Sequence, residues 1–357
     1  MICIGAAGLV NYLVDPARLF DSSHSTERDI ALLLRQGPVG VVHNYDERLL
    51  QKFRLEVEPV APLDFLVIGS SRSMQFGEHI LHASTLNLSV SGVSIEDYVA
   101  ILDMARKFPA KTIVLGVDPW LLNINNDQGE GWRTLAVEYA MGVNRLTHST
   151  GKNNSSGHSE YGAVGRKFLQ LLNFGYTKAS LRTLQQNLKN PGPSKPFLKL
   201  DDSPETDVDV IRKDGSRVHN LRYASRPTDE IRKIALKDGD PPIYALERYF
   251  NLDSDRLSLL VCLVQRLKQR SNVWLFLPPY HPEAYRKIIS RVPIVQRVED
   301  TLKTLANDEG VRVVGSYDPR MAGCVEADFF DGMHPKGNCL IKLLAINPTP
   351  VSTLASP

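Results

Sequence analysis

The sequence predicts an α/β fold: a doubly wound, mostly parallel sheet in a flavodoxin-like, three-layer arrangement with a large inserted region. One observation is that short apolar runs bounded by turns alternate with segments of helical spacing, which is typical of parallel strands joined by helical crossovers. Another is that this alternation stops after residue 122 and resumes near residue 250. We therefore expect one α/β domain made of residues 60–122 and 250–345.

The first half of this domain should contain three strands and two helices. The expected strands are Leu66–Ile68, Thr85–Leu88 and Lys111–Val117. A helix can run from residue 71 to about residue 82. Ser94 is typical of an N-cap and Asp97 stands in the capping-box position, so a second helix should begin there and end near Arg106.

The second half repeats the pattern, and the stretch between the halves does not. The expected elements are helix Asp253–Gln269, strand Val273–Leu277, a helix around Val295–Asn307, strand Val311–Val314 and a closing helix near Leu340–Ala345. Residues 123–249 should form an inserted cap or lid. Within them, 123–160 indicate a loop, 165–188 have helical spacing, and 190–242 are polar and rich in Pro and Asp. Residues 346–357 should be a flexible tail.

Residues 1–59 form an apolar start and a lead-in to the first strand. Residues 1–14 carry no charged side chain, yet they are fewer than the roughly 20 residues that a spanning helix needs. No basic segment precedes them as in a signal peptide. Two interpretations stay open: a buried strand or helix, or the outer end of a membrane anchor. The second places the protein on a membrane outside the cytoplasm, and the first leaves a cytoplasmic protein possible.

Composition limits the function classes. A net charge of +2 and the lack of a long Lys/Arg run argue against a nucleic-acid surface. The four cysteines form no Cys-x-x-Cys pair of the kind found in metal fingers. Cys324 and Cys339 could form a disulfide across the segment between them, or remain buried free thiols. The composition does not indicate an oligomeric state.

Polar residues and one glycine follow the expected strands, at the edge where parallel sheets place their sites. These positions are Ser71, Gly92, Asp118 with Asn123, His281, and Asp331 with His334. Serine, histidine and aspartate are the three side chains that nucleophilic acyl transfer needs. The sequence therefore predicts a hydrolytic site at this edge.

Both ends of this site have other interpretations. The turn Gly69-Ser70-Ser71 could simply cap the next helix, which serine does well. Asp331 and His334 could cap a helix, or bind a metal ion if His281 or Asp118 supplied a third ligand. We predict neither a metal nor a cofactor.

These motifs resemble those of the SGNH hydrolases, also called GDSL-type esterases. Gly69-Ser70-Ser71 matches the Gly-Asp-Ser block of that family, with Ser70 in place of the aspartate and Ser71 at the nucleophile position. Asp331 and His334, followed by Pro335, match its Asp-x-x-His block in full. The resemblance implies that Ser71 is the nucleophile, His334 its base, and Asp331 the residue that orients the base.

Two further blocks of the family supply the oxyanion hole. Gly92 fits the glycine that donates its backbone N–H beside that of Ser71. The Gly-x-Asn-Asp block falls at Gly116-Val117-Asp118, where the asparagine is absent, and Asn123 is the candidate substitute. The resemblance covers residues 60–120 and 250–345, about half of the chain.

The altered serine block and the apolar start are similar to a branch that handles acyl groups on cell-surface polysaccharides, which includes alginate O-acetyltransferases and the D-alanyl-teichoic-acid export protein. This likeness implies an acylated carbohydrate or another small ester as the substrate. Candidate substrate contacts are Arg72, Asp118, Tyr280 and His281. Arg72 could instead form a surface ion pair, Tyr280 and His281 could lie in a rigid Pro-rich turn, and Trp120 could be a sugar platform or part of the core.

Two other functional hypotheses remain open. An ordinary α/β-hydrolase would have the same Ser, Asp, His order, but its nucleophile elbow needs a glycine where this chain has Ser73. A non-catalytic polysaccharide-binding or assembly protein could keep the fold with a weakened site, and the missing asparagine favours that reading.

Overall fold

A computed structural model gives the fold and describes residues 2–14, 24–41, 45–126, 129–148, 196–201, 203 and 206–346, together with Thr177, Ser180, Leu181 and Leu184. The helix expected over 165–188 lies outside the described residues except at those four positions. The tail expected over 346–357 also lies outside them, apart from Ile346.

The chain passes from a lead-in to the first half of a sheet. The lead-in comprises α1 (Ile2–Val14), α2 (Ser25–Leu34), β1 (Val39–Val41) and α3 (Glu47–Val57). The first half of the sheet comprises β2 (Leu63–Ile68), a 3₁₀ turn (Ser71–Ser73), α4 (Glu78–Leu81), β3 (Thr85–Asn87), α5 (Ile95–Ala105) and β4 (Ala110–Gly116).

The inserted region and the second half of the sheet follow. The insert comprises 3₁₀ turns (Pro119–Leu122 and Gly129–Leu135), α6 (Ala136–His148), β5 (Phe197–Leu198), β6 (Asp209–Ile211), β7 (Arg217–Val218), α7 (Leu221–Ala224) and α8 (Thr228–Asp238). The second half comprises α9 (Ser254–Leu267), β8 (Asn272–Leu277), α10 (Pro282–Arg291), α11 (Ile294–Glu309), β9 (Arg312–Gly315), a 3₁₀ turn (Glu326–Asp328) and α12 (Gly337–Ile346).

Five strands form one all-parallel sheet in the order β3-β2-β4-β8-β9. Numbered along the chain, this order is 2-1-3-4-5, the flavodoxin-like arrangement of a doubly wound sheet. Alternate residues of β4 show why both faces are covered: Ile113 and Leu115 belong to one buried apolar cluster, and Val114 belongs to another. The predicted fold class is confirmed, and all five expected strands are present.

The helix after β3 begins as the sequence predicts. Ser94 accepts a hydrogen bond from the Asp97 N–H, and the Asp97 carboxylate accepts one from the Ser94 N–H, which completes the capping box. The expected helix over 71–82 is broken instead. Gly77 has extended backbone angles (φ −159°, ψ −178°), which separate the 3₁₀ turn from α4. A Cβ at this position would lie 2.5 Å from the Asp214 carboxylate, so only glycine fits there.

The insert has more regular structure than its composition indicates. Strand β1 of the lead-in pairs with β5 and β6 in a second, antiparallel sheet of order β5-β1-β6-β7. Part of the loop expected over 123–160 is helix α6, because Tyr139, Val143 and Leu146 recur at helical spacing and pack against the main core. The surrounding Asn, Gly and Ser residues hide that spacing.

Helix α1 has 13 residues and no charged side chain. Leu9 and Leu13 on this helix are exposed. Within the described ranges, no helix combines the length and the apolar character that crossing a membrane requires.

Candidate active site

Ser71 lies on a tight turn at the carboxyl end of β2. A Cβ at Gly69 would lie 2.3 Å from the Ser73 hydroxyl of the same turn and 3.1 Å from Gly116 Cα at the end of β4, so the turn has room only for glycine there. The Ser70 hydroxyl accepts a hydrogen bond from the Arg72 N–H at 3.1 Å, and the Ser70 side chain is buried. Ser71 is only half-buried. The turn therefore presents Ser71, and not Ser70, at the surface.

Asp331 and His334 lie on a short loop that folds back on itself. The Phe330 N–H donates to the His334 carbonyl at 2.9 Å, and Phe329 and Pro335 form an antiparallel bridge. Inside the loop, the Asp331 carboxylate accepts hydrogen bonds from the backbone N–H groups of Met333 (2.8 Å) and His334 (2.9 Å). Two backbone hydrogen bonds from its own loop therefore help to hold the carboxylate in place.

The fold brings the two motifs together across 263 positions of sequence. The Ser71 Oγ lies 2.9 Å from His334 Nε2. The other ring nitrogen, His334 Nδ1, lies 2.9 Å from Asp331 Oδ2. Both distances are within the hydrogen-bond reach that a nucleophile, its base and an orienting acid require. The fold therefore brings the side chains of Ser71, His334 and Asp331 into contact, as the sequence predicts.

The charge of Asp331 suits this arrangement. Burial alone would raise the pKa of the Asp331 carboxyl, but the charge of His334 and the hydrogen bonds that the carboxylate accepts outweigh burial and hold its pKa below its usual range. A carboxylate at this position favours a proton on His334 Nδ1. The Nε2 lone pair is then free to accept the hydroxyl proton of Ser71.

Two residues of the insert complete the surroundings of Asp331, and the sequence analysis did not identify either. The Tyr223 hydroxyl donates to Asp331 Oδ2 at 2.6 Å. The Asp238 carboxylate accepts the Gly332 N–H at 3.0 Å. Both residues stand in the polar stretch 190–242 with no fixed spacing to the other motifs, so no sequence signal pointed to them.

Arg72 and Asp118 need a correction, because neither offers its side chain to a substrate. Their exposures are 1% and 0%, and Arg72 Nη1 donates to Asp118 Oδ1 at 2.9 Å. The guanidinium also donates to the carbonyls of Pro278 and Met333. The pair is therefore a buried ion pair, neither a substrate contact nor a surface ion pair, and it ties the ends of three strands to the His334 loop.

Tyr280 and His281 are also buried, so the interpretation as a rigid turn fits and direct substrate contact does not. The Tyr280 ring lies 4.0 Å from Arg72 Cζ, in cation–π contact. His281 Nδ1 accepts the Glu283 N–H and caps helix α10. Burial lowers the pKa of His281 to about 4, so its ring is neutral near pH 7. Trp120 is likewise buried in the core.

The candidate oxyanion donors differ from one another. Gly92 lies in a turn after β3 with φ of 58°, and the Val90 N–H donates to the Gly69 carbonyl at 2.9 Å, which joins this loop to the Ser71 turn. No acceptor in the described part of the chain bonds the backbone N–H of Ser71 or Gly92. Asn123 needs a correction, because its amide donates to the carbonyls of Ala245 and Glu247 and is held there.

Cys324 and Cys339 form a disulfide with a Cα–Cα distance of 5.4 Å, so the first of their two interpretations holds. The bond closes a loop that contains both Asp331 and His334. As to metals, no group of three or more His, Cys, Asp and Glu side chains in the described ranges is placed to hold an ion.

Comparison with protein-family models gave no match for this chain, and comparison with curated proteins gave none.

Proposed function

We propose that this protein is a serine-dependent acyl-ester hydrolase or O-acyltransferase that acts on an acylated glycan or another cell-surface ester. The observation that carries the proposal is the hydrogen-bonded series from Ser71 Oγ through His334 to Asp331, with both contacts at 2.9 Å. The fold adds support, because the series lies at the carboxyl edge of the parallel sheet, where such folds place their sites.

The chemistry follows from these contacts. As the Ser71 oxygen attacks the acyl carbonyl, His334 Nε2 takes the hydroxyl proton and Asp331 stabilises the resulting imidazolium. The tetrahedral intermediate collapses when His334 returns that proton to the leaving alcohol, and the acyl group stays on Ser71. Water or a sugar hydroxyl then attacks the acyl-enzyme with His334 again as base, which releases an acid or an acylated sugar.

Developing negative charge on the carbonyl oxygen needs donors. The backbone N–H groups of Ser71 and Gly92 supply them, and each such donor contributes about 3 kcal/mol to transition-state stabilisation in comparable sites. Ser71 donates from the turn it stands on, and Gly92 from the neighbouring turn, which is joined to it through Gly69 and Val90.

The proposed location is outside the cytoplasm and next to a membrane. Two features support it: the Cys324–Cys339 disulfide, which is typical of oxidising compartments, and the uncharged helix α1 with exposed Leu9 and Leu13. Fractionation of cells that make the native protein tests this part of the proposal. A product found wholly in the cytosol would remove both the membrane contact and the cell-surface substrate.

A non-catalytic protein that binds or assembles polysaccharide is the second candidate. One observation favours it: the Asn123 amide, which would have to serve as the third oxyanion donor, is bonded to two backbone carbonyls. Such a protein would have the same fold and would bind the acylated polysaccharide, but it would not hydrolyse or transfer the acyl group.

Labelling with a fluorophosphonate probe separates the two candidates, because the probe phosphonylates only an activated serine. We expect the wild-type protein to be labelled, with peptide fragmentation placing the label on Ser71. The Ser71→Ala variant should lose the label, whereas Ser70→Ala, which changes the adjacent buried hydroxyl, should keep it. An unlabelled wild-type protein that binds acylated polysaccharide would favour the second candidate.

A further inference from the structure

We infer that Tyr223 is a positioning residue of this site: its hydroxyl fixes the Asp331 carboxylate and limits how strongly that carboxylate holds a proton on His334. The inference rests on the proposed function. It makes a residue of the inserted region part of the acid–base machinery, although that machinery otherwise comes from the two halves of the α/β domain.

The contact is short and specific. Tyr223 Oη lies 2.6 Å from Asp331 Oδ2, the same oxygen that lies 2.9 Å from His334 Nδ1. Tyr223 Oη is 3.4 Å from that ring nitrogen. The tyrosine hydroxyl and the imidazole thus share one carboxylate oxygen. Loss of one hydrogen bond to that oxygen therefore changes the strength of the other.

The tyrosine is held firmly enough to act as a fixed donor. Its ring stacks on Phe330, the residue before Asp331, with centroids 5.2 Å apart and planes at 17°. The His219 ring contacts both aromatic rings edge-on. The Tyr223 N–H donates to the Asn220 side chain at the start of α7. These contacts seat the hydroxyl on Asp331 without help from the substrate.

The hydroxyl remains a donor throughout the working range of pH. Burial raises the pKa of Tyr223, and the neighbouring Asp331 charge raises it further, so the phenol stays protonated. A neutral donor on Oδ2 spreads the carboxylate charge. Without this hydrogen bond, the carboxylate would attract the proton on His334 Nδ1 more strongly and so stabilise the imidazolium.

Other ionisable groups also surround the acid–base pair, and a substitution at Tyr223 leaves them in place. They are His219, Arg226 and Asp238 from the insert, Arg72 after β2, Asp118 after β4, and His281 after β8. A shift caused by Tyr223→Phe is therefore attributable to the lost hydroxyl.

The test uses Tyr223→Phe in the full chain, with Tyr249→Phe as the matched control. The Tyr249 hydroxyl is buried and has no hydrogen-bond partner among the described residues, so the control makes the same chemical change where no bond is lost. The first readout is the titration midpoint of the His334 ring, followed by NMR. It needs no catalytic activity and thus does not depend on the proposed function.

We expect Tyr223→Phe to raise that midpoint by about 0.5 to 1 pH unit, a fraction of the one to three units that a directly bonded charge produces. The acid limb of kcat/KM against pH should move in the same direction. At the optimum, kcat/KM should fall about tenfold, as expected for one lost bond to a charged group. Tyr249→Phe should change none of these quantities.

An unchanged His334 midpoint in Tyr223→Phe would overturn the inference, even if the rate fell. A midpoint that moves equally in both variants would also overturn it. Failure of the proposed function has a different signature, because the wild-type protein would then leave Ser71 unlabelled by the fluorophosphonate probe while the midpoint still moved.

Discussion

Ser71 and Arg72 are adjacent in the chain, yet their side chains belong to two regions with opposite properties. The reactive cluster (Ser71, Asp331 and His334) is partly open to solvent, and the His334 side chain is 24% exposed. The anchor cluster (Arg72, Asp118 and Tyr280) is buried throughout. One turn therefore carries the proposed nucleophile on one face and one side of a buried ion pair on the other.

The difference teaches how the site combines access with rigidity. Arg72 donates to Asp118 and to the carbonyls of Pro278 and Met333, so the anchor cluster joins the Ser71 turn to the loop that carries His334. The reactive cluster can then be accessible without becoming loose. Loss of the Ser71 hydroxyl should reduce turnover and spare stability, and changes in the anchor cluster should reduce stability first.

The largest expected effect is on turnover. Ser71→Ala should lower kcat/KM for an activated acetyl ester by about 10⁴-fold or more, because it removes the proposed nucleophile. Its free energy of unfolding should change by less than about 0.5 kcal/mol, since Ser71 is half-buried and outside the core. Ester hydrolysis and denaturant unfolding on the same sample measure both. A variant that kept wild-type turnover would remove Ser71 from the mechanism.

The next effect is on stability. Arg72→Ala should lower the free energy of unfolding by about 3–5 kcal/mol, because it leaves the buried Asp118 carboxylate without its partner. Arg286→Ala is the matched control, since Arg286 also pairs with a carboxylate but has a side chain that is 70% exposed. Denaturant unfolding compares the two variants. Equal losses would mean that the buried pair anchors nothing that the exposed one does not.

The disulfide tests whether the loop of the reactive cluster needs a covalent restraint. Replacing Cys324 and Cys339 together by serine should lower the free energy of unfolding by about 3 kcal/mol, the value expected for a loop of this length. Cys262→Ser, at a free cysteine, is the control. Thermal unfolding should separate the variants. If they unfold together, the bond does not constrain the loop.

The smallest expected effect is a pH dependence. The pKa of Asp331 is lowered in the folded protein, because the charge of His334 and several hydrogen bonds outweigh burial. The stability that Asp331 contributes is therefore fully present above its unfolded pKa, about 3.9, and is lost as the pH falls through its folded value. Wild-type protein and Asp331→Asn should differ by about 1–3 kcal/mol near pH 6 and converge toward pH 2.

Asp229→Asn is the control for this pH series, because the Asp229 side chain is 75% exposed. Its unfolding curve should stay close to that of the wild-type protein at each pH. A difference between wild-type protein and Asp331→Asn that grew toward pH 2 would contradict the assignment of Asp331 as a stabilised carboxylate.

Local sequence signals were enough for much of the fold. The apolar run at Leu66–Ile68 and the capping box of Ser94 and Asp97 depend on neighbouring residues, and both were predicted. Strand ends followed by Ser71 and His334 also indicated which residues meet, because parallel strands share one carboxyl edge.

The remaining features depend on partners that are distant in sequence. From the sequence alone, Arg72 could be a surface cation. Only the fold shows that its guanidinium is buried and donates to Asp118 and to the Met333 carbonyl. Tyr223 carries no motif, and only the folding of the insert brings its hydroxyl to Asp331. Asn123 looked available as a donor because no local pattern shows which carbonyls occupy its amide. Burial and long-range hydrogen bonds decide all three roles.

The central claim is that Ser71 becomes an acyl carrier when His334 takes its proton. The most direct measurement is rapid quenching of the wild-type protein with an activated acetyl ester, followed by mass spectrometry with fragmentation of the peptide that contains Ser70 and Ser71. We predict an acetyl group on Ser71 within the first turnover, and none on the same peptide from His334→Ala. Acetylation of Ser70, or equal acetylation of Ser71 in both proteins, would contradict the account.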